Sequence, residues 1–295
     1  MEASELLKRV RKIEIKTRGL SRHIFAGQYH SAFKGRGMAF SEVREYQYGD
    51  DIRNIDWNVT ARFNQPYVKV FEEERELTVM LLIDVSGSRL FGTTNLLKKN
   101  LATEIAAVLA FSAIQNNDKI GVILFSDRVE KFIPPQKGRT HILHIIRELI
   151  NFSPTSKGTN ISEALRYLTN ALKKRCTAFL ISDFMDFEDD TPTPQFTNAL
   201  TIASNKHDMV GVRVYDRREA TMPSVGLLKL KDAETGQYKW VDTSSREVRN
   251  AYSSWWDESE LALKQTLSRC KVDSVAISTD EDYVKPLIKL FKQRA

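Results

Sequence analysis

Asp84, Ser86 and Ser88 stand at alternate positions in VMLLIDVSGS, residues 79–88. The run before them is apolar, so a buried strand is expected to end where these oxygen-bearing side chains begin. Thr159, in SPTSKGTN, and Asp183, directly after AFLIS, offer oxygen in the same way. Oxygen donors without a His or Cys suit a hard divalent cation. Magnesium in particular uses few protein groups and keeps several waters. An ion held by neutral hydroxyls keeps most of its charge and would accept a further carboxylate, which a partner could supply.

Rival chemistries fail on named residues. A Walker-type phosphate loop needs G-x-x-x-x-G-K-[ST], which is absent, and a dinucleotide fingerprint needs G-x-G-x-x-G after a strand, also absent. A serine hydrolase elbow needs G-x-S-x-G, whereas Ser86 is flanked by Asp84 and Ser88. An aspartyl-phosphate phosphohydrolase is the strongest enzyme alternative. It would use Asp84 as nucleophile, with Asp183, Asp186, Asp189 and Asp190 as further acids. Its usual second Asp, the proton donor to the leaving group, is here Ser86.

The elements that must position these residues follow from periodicity. ELTVMLLI, KIGVILFS, CTAFLISD, HDMVGVRVYD and KVDSVAIS read as buried strands, and RVEKFIPP as a shorter strand stopped by prolines. Helical patterns cover residues 94–115, 140–150, 161–173, 193–204, 245–269 and 281–292. LLKLKDAETGQYKWVD reads as a hairpin around a Gly-containing turn. Strands alternating with helices imply an α/β fold, a mostly parallel sheet with helices on both faces, with function at the carboxyl ends of the strands. Asp84, Ser86, Ser88, Thr159 and Asp183 then share one end of the sheet.

The 295 residues allow one large domain and an accessory module, drawn here as 1–75 and 76–295. The content is 42% apolar and 28% charged. No apolar stretch reaches the ~20 residues of a membrane helix, and MEASELLKRVRK has no signal-peptide core, so a cytoplasmic chain is expected. Residues 1–22 hold seven Lys or Arg against three Glu, which accounts for most of the +6 net charge. They read as a short amphipathic helix with a solvated polar face, with contact to a nucleic acid or peripheral contact to an anionic membrane surface as the alternative. The near-neutral remainder excludes a broad nucleic-acid footprint. Cys176 and Cys270 are expected as buried thiols, and His141 and His144 lack a third ligand for zinc.

D-x-S-x-S after a buried strand, a Thr in a G-T loop and an Asp after a later strand resemble the metal-ion-dependent adhesion site of von Willebrand factor A domains. Asp84, Ser86, Ser88, Thr159 and Asp183 match its five positions. The resemblance implies a von Willebrand factor A-like, Rossmann-like fold in which Ser86, Ser88 and Thr159 contact Mg²⁺ directly and the aspartates act largely through water. Mn²⁺ is the alternative ion.

The segment SAFKGRGMAFSEVREYQYGDDIRNIDWNVTARFNQPYVKVFEEERE, residues 31–76, sharpens this. It is similar to the bacterial family catalogued as domain of unknown function 58, in which R-x-Y-x-x-G-D-D-x-R-x-I-D-W and A-R…E-E-x-R runs precede such a domain. Arg44, Tyr46, Gly49, Asp50, Asp51, Arg53, Ile55, Asp56, Trp57, Ala61, Arg62, Glu73, Glu74 and Arg75 occupy those positions, and Glu234, Thr235 and Gly236 match a turn of that family. The segment reads as a small β-rich module, its loops fixed by Arg–carboxylate pairs. The sharper reading makes Arg44, Asp50, Asp51, Arg53, Asp56 and Arg62 a partner-recognition surface.

What the resemblance implies is a non-catalytic Mg²⁺-dependent adaptor or co-chaperone without a small-molecule substrate. It would work with a MoxR-class AAA+ ATPase on a client protein, in the remodelling or assembly of a protein complex. An acidic residue of the partner would complete the metal. The alternatives are the phosphohydrolase and a structural scaffold with a vestigial metal site.

Overall fold

The computed structural model describes residues 39–72, 77–90, 97–187, 191, 193–234 and 236–294. The helix expected over residues 1–22 lies outside them, as do Glu73, Glu74, Arg75, Asp189, Asp190 and Thr235. The chain divides into two compact units, one formed by Lys34–Leu77 and the other containing Thr78–Ala295.

In the smaller unit β1 (Ala39–Glu45) pairs antiparallel with β2 (Tyr67–Glu72), and the register slips between Phe40 and Glu42. Between them lie a 3₁₀ turn, Ile52–Asn54, and helix α1 (Trp57–Phe63). Asp56 starts α1 by accepting the amides of Asn58 and Val59, and Asn64, with φ 53°, ends it in the left-handed conformation that short amide side chains tolerate. A β-rich module was expected; the helix is the addition. Its Asp–Trp start is an N-cap signal that the aromatic content of the segment obscured.

The larger unit runs β3 (Thr78–Asp84), α2 (Lys98–Gln115), β4 (Lys119–Phe125), β5 (Val129–Gln136), α3 (Arg139–Asn151), α4 (Ile161–Ala171), β6 (Thr177–Ser182), α5 (Thr197–Lys206), β7 (Asp208–Tyr215), α6 (Arg217–Ala220), β8 (Leu227–Lys231), β9 (Tyr238–Asp242), α7 (Arg246–Arg269), β10 (Asp273–Ser278) and α8 (Val284–Arg294). Six strands form one sheet in the order β10-β7-β6-β3-β4-β5. All its pairings are parallel except β4–β5, where the connection Ser126–Arg128 is too short for a crossover and closes an antiparallel edge.

Chain order along this sheet reverses between β3 and β6. That is the switch point of a doubly wound sheet, where the loops leaving two neighbouring strands diverge to opposite faces and open a crevice. The sheet is covered on both sides. Met80, Leu82, Ile123, Phe125, Ala178 and Leu180 pack with Ile161, Leu165 and Leu168 of α4, Leu200 of α5, and Leu263 and Leu267 of α7. On the opposite face Phe179 meets Phe291 of α8 edge-on at 6.5 Å. This double cover explains why the strands read as unbroken apolar runs. The fold is thus the mixed α/β, von Willebrand factor A-like architecture that the sequence implied, with the smaller unit and the β8–β9 hairpin added.

Candidate functional site at the sheet switch point

Asp84 is the last residue of β3, and parallel pairing of Val79–Ile83 with Thr177–Ile181 sets it level with Ser182 at the end of β6. The Ser182 hydroxyl donates to Asp84 Oδ2 at 2.7 Å, and the Ser86 amide donates to Oδ1 at 2.9 Å. The second bond is an Asx-type turn that bends the chain off the strand into a 3₁₀ turn, Gly87–Leu90. That bend brings the Ser86 and Ser88 hydroxyl oxygens to 3.0 Å from each other. Asp84 and Ser86 are 8% and 1% exposed, and Asp183 is 7% exposed, so this is a buried polar floor.

Asp183 follows β6 at once. Its Oδ1 accepts the Met185 amide at 3.2 Å, and Phe184 between them holds φ 60°, a left-handed backbone that a bulky buried residue rarely adopts. The Ser182 hydroxyl accepts the Phe184 amide at 2.9 Å and locks this turn. Such strain is retained where neighbours over-determine the conformation, often at functional sites. Thr159 arrives on a separate loop. Gly87 donates its amide to Lys157 O at 2.8 Å, and Asn160 donates its amide to Ser126 O at 2.9 Å while its side chain caps α4. Thr159 Oγ1 donates to Glu234 Oε1 at 2.6 Å, at the tip of the β8–β9 hairpin.

Three participants were not foreseen. Ser182 is the first. Lys98, at the first position of α2 and 3% exposed, donates to Asp183 Oδ2 at 2.9 Å and also pairs with Glu219 of α6. Glu234 was legible only as part of a family turn, not as a carboxylate in this cluster. The long sequence separations, 85 from Lys98 to Asp183 and 75 from Thr159 to Glu234, left no local signal for either contact.

The electrostatics divide the carboxylates. Burial, and then the charge of Asp183, pushes Asp84 up to about 7, against the pull of the Ser86 amide and Ser182 hydroxyl. Burial alone would raise Asp183 too. The Lys98 ammonium, the Ser88 hydroxyl and the Met185 amide outweigh it and hold Asp183 below the usual carboxylate range. Burial lowers Lys98, but the charges of Asp183 and Glu219 raise it further, so it stays protonated. Lys98 is committed to Asp183 and Glu219, whereas Asp84 meets the charge of Arg89, a guanidinium whose own pKa burial lowers.

Among the described residues no three His, Cys, Asp or Glu side chains are grouped to hold a metal, so a cation here would rest on hydroxyls. The donor set fits that demand. Ligands at about 2.0–2.1 Å on adjacent corners of an octahedron lie roughly 2.9 Å apart, and Ser86 Oγ and Ser88 Oγ are 3.0 Å apart. A cavity of about 20 Å³ lined by Asp84, Ser88, Lys98 and Asp183 has room for about one water. Asp183, one oxygen of which is already held by Lys98, suits a water-mediated role.

The other candidates behave differently. Arg44 binds Asp50 through two bonds of 2.7 and 2.8 Å, Asp51 caps the 3₁₀ turn through the Arg53 amide, and Asp56 caps α1 and lies 3.5 Å from Lys69. These carboxylates hold the local fold. Arg53 and Arg62 are exposed, beside exposed Tyr48, Ile52, Trp57 and Phe63. Asp186, an acid the phosphohydrolase would need, instead accepts the Ile161 amide at 2.8 Å at the start of α4. His141 donates to Ile120 O at 2.9 Å, and His144 faces Glu148. Cys176 and Cys270 are buried free thiols, as expected, and burial pushes the Cys176 thiol up to about 12. Trp256 is core, stacked by Arg213 at 5.1 Å, whereas Trp255 packs at the surface against Phe187 and Tyr252.

The chain is similar to several known proteins. The uncharacterized protein Rv1480 of Mycobacterium tuberculosis is 25% identical over 287 residues, covering 97% of this chain and 88% of that protein. YeaD of Bacillus subtilis is 28% identical over 122 residues, 41% of this chain and 27% of its own. Among solved structures, BatB of Bacteroides thetaiotaomicron is 15% identical and covers 74% of this chain and 98% of its own, with a TM-score of 0.45. The SpRpn10 VWA domain is 11% identical over 74% of this chain and 95% of its own, with a TM-score of 0.38. The model of the family described as "Protein of unknown function DUF58" matches residues 42–261, a span that takes in the Arg44–Asp50 pair, the turn after β3 and the hairpin bearing Glu234, and the chain belongs to that family.

Proposed function

We propose that the chain is a non-catalytic, Mg²⁺-dependent protein-binding adaptor, with Asp84, Ser86, Ser88, Thr159 and Asp183 as its metal site. The observation that carries this reading is the pair of serine hydroxyls 3.0 Å apart, beside a clamped Asp84 and a Lys98-bound Asp183. A Mg²⁺ held by these residues would supply positive charge able to take an oxygen from a partner. The residues supply the rest. Asp84 is clamped by Ser182 and the Ser86 amide, so both its oxygens are oriented before any ion arrives. Lys98 keeps Asp183 ionised, and the burial of the floor limits competition from bulk water. The same clamps disfavour Asp84 as a nucleophile, because attack needs a free, accessible oxygen.

The partner in this reading is a MoxR-class AAA+ ATPase together with a client protein, and the role is adaptor or co-chaperone in the remodelling or assembly of a complex. Family resemblance suggests this partner, and the exposed Arg53, Arg62 and Trp57 are candidates for a second contact. No helix among the described residues is long and apolar enough to cross a membrane. The test is affinity recovery of partners from native lysate with Mg²⁺ and again with EDTA, followed by identification and ATPase assay of the eluate. An ATPase retained with Mg²⁺ and released by EDTA is the expected result. Partner recovery indifferent to EDTA, or Mg²⁺-dependent hydrolysis of a phosphate ester by the purified chain, refutes the reading.

A further inference from the structure

The β8–β9 hairpin seats its turn on the site. Two separate contacts establish this. The Thr159 hydroxyl donates to Glu234 Oε1 at 2.6 Å. Gly87, between the two serines, lies so close to the turn that a Cβ built on it would stand 2.4 Å from Ala233 O. Both hydroxyl-bearing loops therefore meet the same few residues of the hairpin, and glycine at 87 is what admits them.

The turn is held in place. Asp232 donates its amide to Gln237 O at 2.9 Å, Gly236 donates to Asp232 O at 3.0 Å, and the Glu234 amide donates to Asp232 Oδ1 at 2.8 Å. Gly236 takes φ +73°, which closes the turn without strain. β8 and β9 pair without a slip from Leu227↔Asp242 to Lys231↔Tyr238, so the tip projects at a defined length. The Glu234 carboxylate is half-buried and bonded to Thr159, one of the residues assigned to the metal, so it is placed to reach an ion held there.

We propose that Glu234 is the site's own carboxylate ligand, taking on the bound Mg²⁺ the position that a partner's acidic group would otherwise fill. This rests on the metal-site reading above. It adds a consequence which that reading lacks. The hairpin and the partner compete for one coordination position, so engagement requires the hairpin end that bears Ala233 and Glu234 to lift. The resting chain is self-capped, and the hairpin is its gate.

Isothermal titration of the full chain with MgCl₂ tests this, on the wild type and on Glu234→Gln, which keeps the shape and a hydrogen-bonding oxygen but removes the charge. Hydrogen exchange of the hairpin amides with and without Mg²⁺ is the second readout. Loss of even an outer-shell partner typically weakens metal binding by 10–100-fold, so E234Q is expected to bind Mg²⁺ at least about 10-fold more weakly. Mg²⁺ should slow exchange at 232–237 in the wild type and not in E234Q. Equal or tighter Mg²⁺ binding by E234Q, or hairpin exchange indifferent to Mg²⁺ in a wild type that binds it, overturns the gate and leaves the metal site standing. A folded wild type that takes up neither Mg²⁺ nor Mn²⁺ overturns both.

Discussion

Lys98 stands with 3% of its side chain exposed between the carboxylates of Asp183 and Glu219. Removing one member of a buried ionic group leaves the others uncompensated, which costs about 3–5 kcal/mol. Lys98→Met is therefore expected to lower the free energy of unfolding by roughly that amount, read from urea denaturation with an unchanged m-value. The serines should behave in the opposite way. Ser86→Ala and Ser88→Ala each remove a hydroxyl bonded within the site and leave the Asp84 clamp in place. Mg²⁺ affinity measured by titration should fall, while stability changes by about 1 kcal/mol or less; retained affinity in the double variant sinks the assignment. The contrast also shows what a sequence can reveal. Asp84, Ser86 and Ser88 announce themselves by alternation over five residues. Lys98 sits 121 residues from Glu219, and a lysine at a helix start looks like any solvated cation.

The strands and helices were the most legible level, because burial on both faces of the sheet leaves unbroken apolar runs and the flanking helices keep a 3.6-residue period. The short elements were less so. α1 has seven residues and too few turns for periodicity to emerge, and only the Asp56 cap marked it. At the site the connections matter more than the elements. Asn160 accepts the Glu163 amide and starts α4 directly after Thr159, so Asn160→Ala should cost about 1 kcal/mol by thermal or urea unfolding. Gly87→Ala places a methyl against the Ala233 carbonyl. Overpacking of this kind costs about 1–3 kcal/mol, and faster hydrogen exchange across β8–β9 should accompany it. A variant as stable as the wild type, with unchanged exchange, would show that the turn does not sit where Gly87 meets it.

At the scale of the molecule, stability should depend on pH through His207. Burial first, then the charges of Lys206 and Arg175, lowers its pKa from 6.5 to about 4, and its Nδ1 accepts the Cys176 amide at 3.3 Å. Above pH 6.5 the imidazole is neutral whether the chain is folded or not. Between pH 6.5 and about 4 the unfolded chain takes up a proton that the folded chain refuses, so the contribution of His207 to stability falls as the pH drops through that window. Asp84, pushed up to about 7, works in the opposite direction, because the folded chain takes up its proton first. Urea unfolding at pH 7 and pH 5 should therefore show His207→Gln losing less stability, or gaining more, than the wild type over this interval. An identical change in both proteins would show that His207 does not carry the effect.

β3 is the first of the sheet's six strands to be synthesised and lies inside the sheet, between β6 and β4. The Ser182 hydroxyl that clamps Asp84 lies 98 residues downstream. At ribosomal speeds of about 5–20 residues per second, that separation is roughly 5–20 seconds of waiting. For that interval a strand made of Val79, Met80, Leu81, Leu82 and Ile83 has no neighbour on its β6 edge, the condition in which nascent chains need protection from aggregation. Glu219 and Glu234 emerge later still. A finished floor with its cap in place is thus a timestamp: it exists only once the ribosome has passed the hairpin, and a truncated chain cannot counterfeit it.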